Sequence, residues 1–207
     1  MKKIIGLLLL AFTMLESANG QISLNFSGGM NYSNWKFRNA GDISSEPRSD
    51  YFFGIAPSYE LNSKLRFLID FQYSRKGLGN INNLNQDFRF SYIDILPEIE
   101  CKLLPYLILG MGMNYAFKVN EEFKISGEDW EKTADFVEFV NLFDLGITGK
   151  IKTEYKNIFA FARYNLGLID ISNLEYADIN GEISDSDLFN RNLQIGIGYR
   201  LDFINKK

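Results

Sequence analysis

Residues 193–203 read Leu-Gln-Ile-Gly-Ile-Gly-Tyr-Arg-Leu-Asp-Phe, and this stretch decides the fold class of the chain. Large apolar residues occupy every second position from Leu193 to Phe203, and glutamine, glycine, arginine and aspartate lie between them. Successive side chains of a β-strand point to opposite faces. The alternation therefore predicts a strand with one apolar face and one polar face.

The same period of two recurs in the rest of the chain, so we predict eight strands. The other seven segments start near Ile22, Tyr51, Leu65, Ile93, Leu107, Phe143 and Ile158. Their connections alternate between long loops and tight turns, at 34–50, 62–63, 76–87, 104–105, 118–137, 153–156 and 169–187. Pro57 and Pro97 lie inside predicted strands, where we expect a bulge or a local break because proline cannot donate to a ladder.

Long loops at one end and tight turns at the other are typical of outer-membrane barrels. We therefore predict an all-β, eight-stranded, antiparallel up-and-down transmembrane β-barrel with lipid on its apolar face and a polar lumen. Periodicity alone does not choose this arrangement over a secreted soluble barrel whose apolar face points inward. The large side chains of the apolar face and the mixture of glycine and charge on the other face favour the membrane barrel.

Residues 1–20 have the composition of a signal peptide. Lys2 and Lys3 precede an apolar run, and a small-x-small site ends at Gly20, before Gln21. We expect cleavage there, export of residues 21–207 as one barrel domain, and location in the cell outer membrane. The alternative is an uncleaved membrane anchor, but the apolar run is shorter than the roughly 20 residues of a spanning helix.

The composition excludes several kinds of chemistry. The 207 residues include no histidine and one cysteine, and the net charge is -4. Histidine-dependent catalysis, imidazole zinc sites and a disulfide framework are therefore excluded, and nothing favours nucleic-acid binding. Cys101 is expected on the lipid face as a small apolar residue. Residues 178–187 resemble a calcium loop weakly, since Tyr176 stands where the first acidic ligand should be. We expect no cofactor and no metal.

Charged residues on the polar face are the first candidates for a functional site. Seven are acidic and six basic, and this near balance predicts a paired network inside the lumen. An ion or proton path and a catalytic carboxylate pair are the alternatives. The thirteen residues are Glu60, Arg66, Asp70, Asp94, Glu98, Glu100, Lys102, Asp144, Lys150, Lys152, Arg163, Arg200 and Asp202.

Aromatic residues on the apolar face fall toward the strand ends, where the two membrane interfaces would lie. Such residues form girdles in outer-membrane barrels, in contact with lipid headgroups. The predicted girdle consists of Tyr32, Tyr51, Tyr59, Tyr73, Tyr115, Tyr164, Tyr199 and Phe203.

Four short stretches resemble the outer-membrane β-barrel domain family that includes PorT, a family of small barrels like OmpA and OmpX. They are Ile-Asp-Phe-Gln-Tyr-Ser-Arg-Lys-Gly at 69–77, Tyr-Ile-Asp-Ile-Leu-Pro at 92–97, Arg-Tyr-Asn-Leu-Gly-Leu at 163–168, and 193–201. The resemblance implies a barrel inserted by the barrel insertion machinery and an accessory role in protein secretion. Residues 204–207 extend beyond Phe203 and depart from the terminal aromatic residue that many such barrels carry.

The residues themselves favour a non-enzymatic outer-membrane barrel with a closed polar lumen. Its long extracellular loops would serve envelope structure or bind a protein or glycan, above all through 118–137 and 169–187. The first of these loops holds the acidic and aromatic residues Glu121, Glu122, Glu128, Asp129 and Trp130. A PorT-like accessory role in secretion is the alternative, and a small pore or a lipid-modifying enzyme comes after it.

Overall fold

The computed structural model describes residues 21–38, 45–80, 86–125, 128–132, 139–173, 176–177, 183–184 and 187–203. The signal-peptide prediction, the central part of the calcium-like loop and the tail at 204–207 lie outside these residues. No helix in the described part of the chain has the length and hydropathy needed to cross a membrane. The strands are β1 Ile22–Arg38, β2 Glu46–Glu60, β3 Leu65–Gly79, β4 Gln86–Leu104, β5 Leu107–Ile125, β6 Glu131–Lys132, β7 Phe143–Tyr155, β8 Ile158–Gly167, β9 Tyr176–Ala177, β10 Ile183–Ser184 and β11 Asp187–Asp202.

Eight of the described strands close into an antiparallel barrel. The order around the sheet is β1, β2, β3, β4, β5, β7, β8 and β11, and β11 pairs back with β1. Every neighbour in the ring is therefore the next long strand along the chain. The short β6 adds to β5, and β9 pairs with β10 in a separate hairpin. The predicted all-β, up-and-down, eight-stranded architecture is confirmed.

The two ends of the barrel differ in the length of their connections. Residues 61–64, 105–106 and 156–157 make the short turns, and the first and last described residues lie beside them, since Phe203 N donates to Ile22 O over 3.1 Å. We call this the turn end. The strand ends that border the longer connections lie at the opposite end, which we call the loop end: Arg38, Glu46, Gly79, Gln86, Ile125, Phe143, Gly167 and Asp187.

The predicted alternation of loops and turns is confirmed, although the strands reach farther toward the loop end than predicted. The ladders continue there through pairs such as Arg38 with Asp187 and Gln86 with Ile125. Glu121 and Glu122, predicted to lie in a loop, therefore belong to β5. The sequences of these extensions do not alternate regularly between apolar and polar residues, and backbone pairing with a neighbouring strand maintains the extended conformation.

The apolar face of every long strand points out of the barrel. Met111 and Ile197 are 71% and 69% exposed, whereas Asp94 and Arg163 inside are 0% and 1% exposed. Cys101 lies on the same outward face, paired with Leu65 and Leu109. In water such a wall would leave a very large apolar surface uncovered, so the arrangement fits a lipid surround and excludes the soluble alternative.

Pro57 and Pro97 each interrupt one ladder without changing its register. The β2–β3 ladder passes from the pair Ile55–Phe71 directly to Ser58–Leu68, and the β4–β5 ladder skips Leu96 and Pro97 in the same way. Each proline keeps its place in the other ladder, opposite Leu24 or Ile69. The expected local breaks are therefore present. Each break is confined to one ladder because the N–H that proline lacks would point to only one of the two neighbouring strands.

Candidate functional site

Charged side chains fill the turn-end half of the lumen. At its inner limit Arg163, from β8, lies between two carboxylates, with Nε 2.8 Å from Glu98 Oε1 and Nη2 2.8 Å from Asp70 Oδ2. Gln194 also accepts a hydrogen bond from this guanidinium over 3.1 Å. All of these groups are buried, so their mutual contacts replace the water that they lose.

The network continues from Glu98 to the turn end. Lys150 contacts Glu98 and lies 2.7 Å from Glu100 Oε1, and Lys152 also contacts Glu100. Arg66 lies 3.0 to 3.3 Å from three carboxylates. We call these connected residues the lumen network: Glu60, Arg66, Asp70, Glu98, Glu100, Lys150, Lys152, Glu154, Arg163, Arg200 and Asp202.

A smaller polar cluster lies nearer the loop end. Lys76 Nζ is 2.9 Å from Asp94 Oδ1 and 4.8 Å from the centre of the Tyr92 ring. The Ser74 hydroxyl donates to Asp94 over 2.5 Å. Asp144 has no described ion pair and accepts a hydrogen bond from the Asn190 amide over 2.8 Å.

Apolar side chains occupy the lumen at the loop end. They form one buried cluster, which we call the plug: Trp35, Leu78, Phe88, Phe90, Tyr92, Ala116, Val140, Ile171 and Leu188. Trp35 stacks on Phe90 with ring centres 5.2 Å apart. Two plug residues, Val140 and Ile171, come from the long connections and are fully buried. The loops thus contribute directly to closing the barrel.

The two loop segments that carry Val140 and Ile171 are held together and to the wall. Val140 bridges Ser172, and Asn141 N donates to Ile171 O over 2.8 Å. Lys118 Nζ, from β5, donates to Val140 O over 2.5 Å. The plug and the lumen network together fill much of the described lumen with side chains.

A cleft of about 240 Å³ opens into the lumen at the turn end. Its rim includes Lys64, Lys102 and Lys156, and its floor includes Arg66 and Glu100. The described residues contain no group of three histidine, cysteine, aspartate or glutamate side chains that could hold a metal ion. The calcium-like loop cannot be compared with this result, because its central residues are outside the described ranges.

Ten of the thirteen predicted lumen charges lie in the lumen network, and Asp94 and Asp144 lie in the smaller cluster above it. Lys102 differs, because it is exposed at the turn-end rim and forms no ion pair with a described residue. Its parity is inward, but β4 ends two residues later, where the wall no longer encloses it. Sequence reasoning missed Lys76 and Glu154, since both were assigned to connections that the strands extend into.

The predicted girdle residues all lie on the outer wall, at the two ends of its apolar band. Tyr59, Tyr199 and Phe203 lie toward the turn end. The prediction missed two further exposed tyrosines there, Tyr106 in a turn and Tyr155 at the end of β7. The other five lie toward the loop end: Tyr32, Tyr51, Tyr73, Tyr115 and Tyr164.

Trp130 forms cation–π contacts with two arginines at the loop end. The guanidinium carbons of Arg48 and Arg89 lie 4.5 and 4.1 Å from the centre of its ring. Arg89 Nε also donates to Glu122 Oε2 over 2.7 Å, and this hydrogen bond lowers the pKa of Glu122. Both residues lie beyond the five loop-end tyrosines, which we call the tyrosine row. Arg48 pairs with Asp50 and Asp87 at 3.4 and 3.5 Å.

Several solved outer-membrane proteins are similar to this chain at low sequence identity. Ail, the attachment invasion locus protein of Yersinia pestis, is 16% identical over 87% of this chain and 99% of its own, with a TM-score of 0.47. Neisserial surface protein A is 13% identical over 88% of this chain and 99% of its own, with a TM-score of 0.47. OprG from Pseudomonas aeruginosa is 13% identical over 86% of this chain and 95% of its own, with a TM-score of 0.45.

The search of curated protein sequences found no match to this chain. The comparison with protein-family models did find one, which is described as an outer membrane protein beta-barrel domain and covers residues 16–173. That range contains β1 to β8 and most of the lumen network. A specific likeness to PorT stays a prediction. With well over half of its length matched, the chain belongs to the outer membrane protein beta-barrel domain family.

Proposed function

We propose that this outer membrane protein is a non-enzymatic anchor that presents its loop end for binding a protein or glycan at the cell surface. The observation that carries the proposal is the closed lumen, filled by the plug at one end and by the lumen network at the other. A solute crossing the barrel would have to displace both. Eight strands normally leave an interior just wide enough for side chains, which supports the same conclusion.

The surface around Trp130 is the best candidate for the contact. Tryptophan and arginine are the residues that most often dominate binding energy at protein interfaces. The stacked Arg48 and Arg89 hold the indole in place, so less conformational entropy is lost when a partner binds. Asp87 and the neighbouring Glu128 and Asp129 add hydrogen-bond acceptors that suit a polar partner.

Planar-bilayer recording tests the closed lumen. We expect the folded protein to insert without steady conductance, because neither the plug nor the lumen network leaves a water-filled path. A gel mobility that changes on boiling verifies that the protein is folded, and its recovery with floated lipid vesicles verifies insertion. Steady single-channel steps that scale with protein concentration would contradict the proposal and favour a small pore.

Photo-cross-linking on whole cells tests surface binding. With a photoreactive residue in place of exposed Asp129, we expect a discrete adduct that disappears when Trp130→Ala is added, since the indole supplies the contact. The matched control carries the same photoreactive residue in place of Lys64, in an exposed turn at the other end. The loop-binding role would be overturned if position 129 gave no adduct, or if the adduct persisted in the Trp130→Ala variant.

The accessory role in protein secretion stays a prediction. Nothing among the described residues favours it over surface binding, and unchanged secretion after deletion of the gene would remove it. An adduct obtained only from position 64 would place the partner on the periplasmic side, where secretion components could reach the turns. A lipid-modifying activity would require a reactive group on the outer wall, where the spanning part offers the Thr153 hydroxyl and the free Cys101 thiol among apolar residues, tyrosines and glycines.

A further inference from the structure

The outward faces of the long strands carry charge at one end only. Among the described residues of the eight barrel strands, outward lysine and arginine residues occur only beyond the tyrosines of the loop end. We call them the outer cation belt: Lys36, Arg38, Arg75, Arg89, Lys124 and Arg191. Three outward carboxylates accompany them, Asp87, Glu122 and Asp187.

The turn end has cations as well, but none on the outward face of a strand. Lys64 and Lys156 lie in the turns themselves, and Lys102 and Arg200 have inward parity and line the cleft. The outward strand positions there carry residues such as Leu24, Phe67, Leu109, Ile158 and Leu201. The two leaflets of the membrane would therefore meet chemically different walls.

Arg75 is held directly above the loop-end tyrosines. Its guanidinium carbon lies 4.9 Å from the centre of the Tyr51 ring, and its Nε donates to the Tyr73 hydroxyl over 3.3 Å. That hydroxyl in turn donates to Ser91 over 2.9 Å. Arg75 forms no ion pair within 4 Å with a described carboxylate, although Asp50 and Glu122 lie close enough to interact with its charge.

A second group of belt residues, on β1 and β11, surrounds Phe189 of β11. Arg191 lies one outward position beyond Leu193, which pairs with both Tyr32 and Tyr164 of the tyrosine row. Its Nη1 donates to Gly167 O and Asn190 O, each over 2.9 Å. Arg38 lies 5.1 Å from the Phe189 ring centre, and Lys36 pairs with Phe189 in the ladder. No described carboxylate forms an ion pair with these three cations, although Asp187 faces Arg38 across the ladder.

We propose that the outer cation belt binds phosphate groups of the glycolipid in the outer leaflet, with Arg75 and Arg191 as its central residues. Each lies one outward residue pair, about 7 Å along the strand, beyond the tyrosine row that marks the membrane interface. That is the depth of lipid headgroups. Guanidinium groups match phosphate oxygens in geometry, and both arginines occupy outward positions of their strands.

The asymmetry of the wall favours a membrane lipid over a soluble phosphate compound. Phosphorylated glycolipid occupies only the outer leaflet, and the belt occurs only at the end whose long loops lie outside the cell. A site for a free anion would not need to follow the membrane interface around both β3 and β11. Arg89 is already paired with Glu122, so it contributes less than Arg75 and Arg191.

Binding of lipid A to the folded barrel in neutral detergent micelles tests the proposal, measured by native mass spectrometry and by titration. The double variant R75Q/R191Q should bind bisphosphorylated lipid A about 25-fold more weakly, because each basic residue near an anionic surface contributes about fivefold. The double variant K64Q/K156Q removes the same charge at the turn end and should bind as the unchanged protein does. Retained mobility change on boiling shows that each variant is folded.

Two further binding measurements distinguish phosphorylated glycolipid from other possible ligands. Lipid A from which both phosphates have been removed should bind R75Q/R191Q and the unchanged protein equally, and more weakly than the phosphorylated form. Millimolar inorganic phosphate should compete only weakly, because it lacks the acyl chains that contact the wall. Equal loss of binding in both double variants, phosphate-independent binding, or complete competition by inorganic phosphate would each overturn the assignment.

Discussion

Replacing Arg163 by alanine should destabilise the folded barrel by about 3–5 kcal/mol, the usual cost of removing one partner from a buried ion pair. Arg163 is the cation that Asp70 and Glu98 share, at 2.8 Å each, and all three side chains are almost completely buried. Without it Asp70 keeps only neutral partners such as Gln72, whose amide donates over 2.8 Å. Urea unfolding in lipid vesicles, followed by tryptophan fluorescence, measures the change in the free energy of unfolding.

The matched control for Arg163→Ala is Arg191→Ala, on the neighbouring strand. Arg191 points outward and forms no ion pair with a described carboxylate, so in vesicles without glycolipid its loss should cost no more than about 1 kcal/mol. Equal destabilisation by the two substitutions would mean that the lumen network contributes no more than any surface charge. Water entering the lumen and solvating Asp70 and Glu98 would be the physical reason.

A single methyl group at Gly29 should impair the closure of the barrel. A Cβ built there would lie 2.1 Å from Ile195 O and 2.6 Å from Gly196 Cα. These are backbone atoms of β11, so the substitution forces β1 and β11 apart at the seam that closes the ring. We expect Gly29→Ala to cost about 3 kcal/mol or more, or to prevent folding, as overpacking against rigid atoms does.

Gly149→Ala is the control for Gly29→Ala, because it adds the same atom to a strand of the same barrel. Gly149 lies on the outward face of β7, and its Cβ would meet nothing within 4 Å. We expect a change within about 0.5 kcal/mol. The fraction that folds into vesicles and changes mobility on boiling gives the first comparison, and urea unfolding gives the second. Similar behaviour of the two variants would contradict the close approach of β1 and β11.

Much of the fold followed from local pattern. The alternation at 193–203 predicted a two-faced strand, and the same pattern predicted the other seven, which confirms that side-chain parity can be read without knowing a strand's partners. The order around the barrel then followed from chain order, since short turns make sequential strands neighbours. Strand ends were less accurate, because ladder pairing at the loop end persists through sequences that carry no apolar alternation.

The candidate sites were less predictable than the fold. The plug includes Phe88 and Phe90, whose segment precedes the predicted strand, together with Val140 and Ile171 from two different loops. No local pattern indicates that residues so far apart in the chain share one cluster. The position of Trp130 between Arg48 and Arg89 likewise depends on three separate segments meeting at the loop end.

By itself the sequence determined that this chain alternates apolar and polar side chains in eight segments, and hence which residues share a face of each strand. Parity is a property of each strand alone, so no tertiary information is needed for it. Only the tertiary structure decided that Arg163 meets Asp70 and Glu98, that loop residues close the lumen, and that the outward cations collect at one end. Those results depend on the register between strands and on the tilt that closes the ring, which side-chain alternation does not specify.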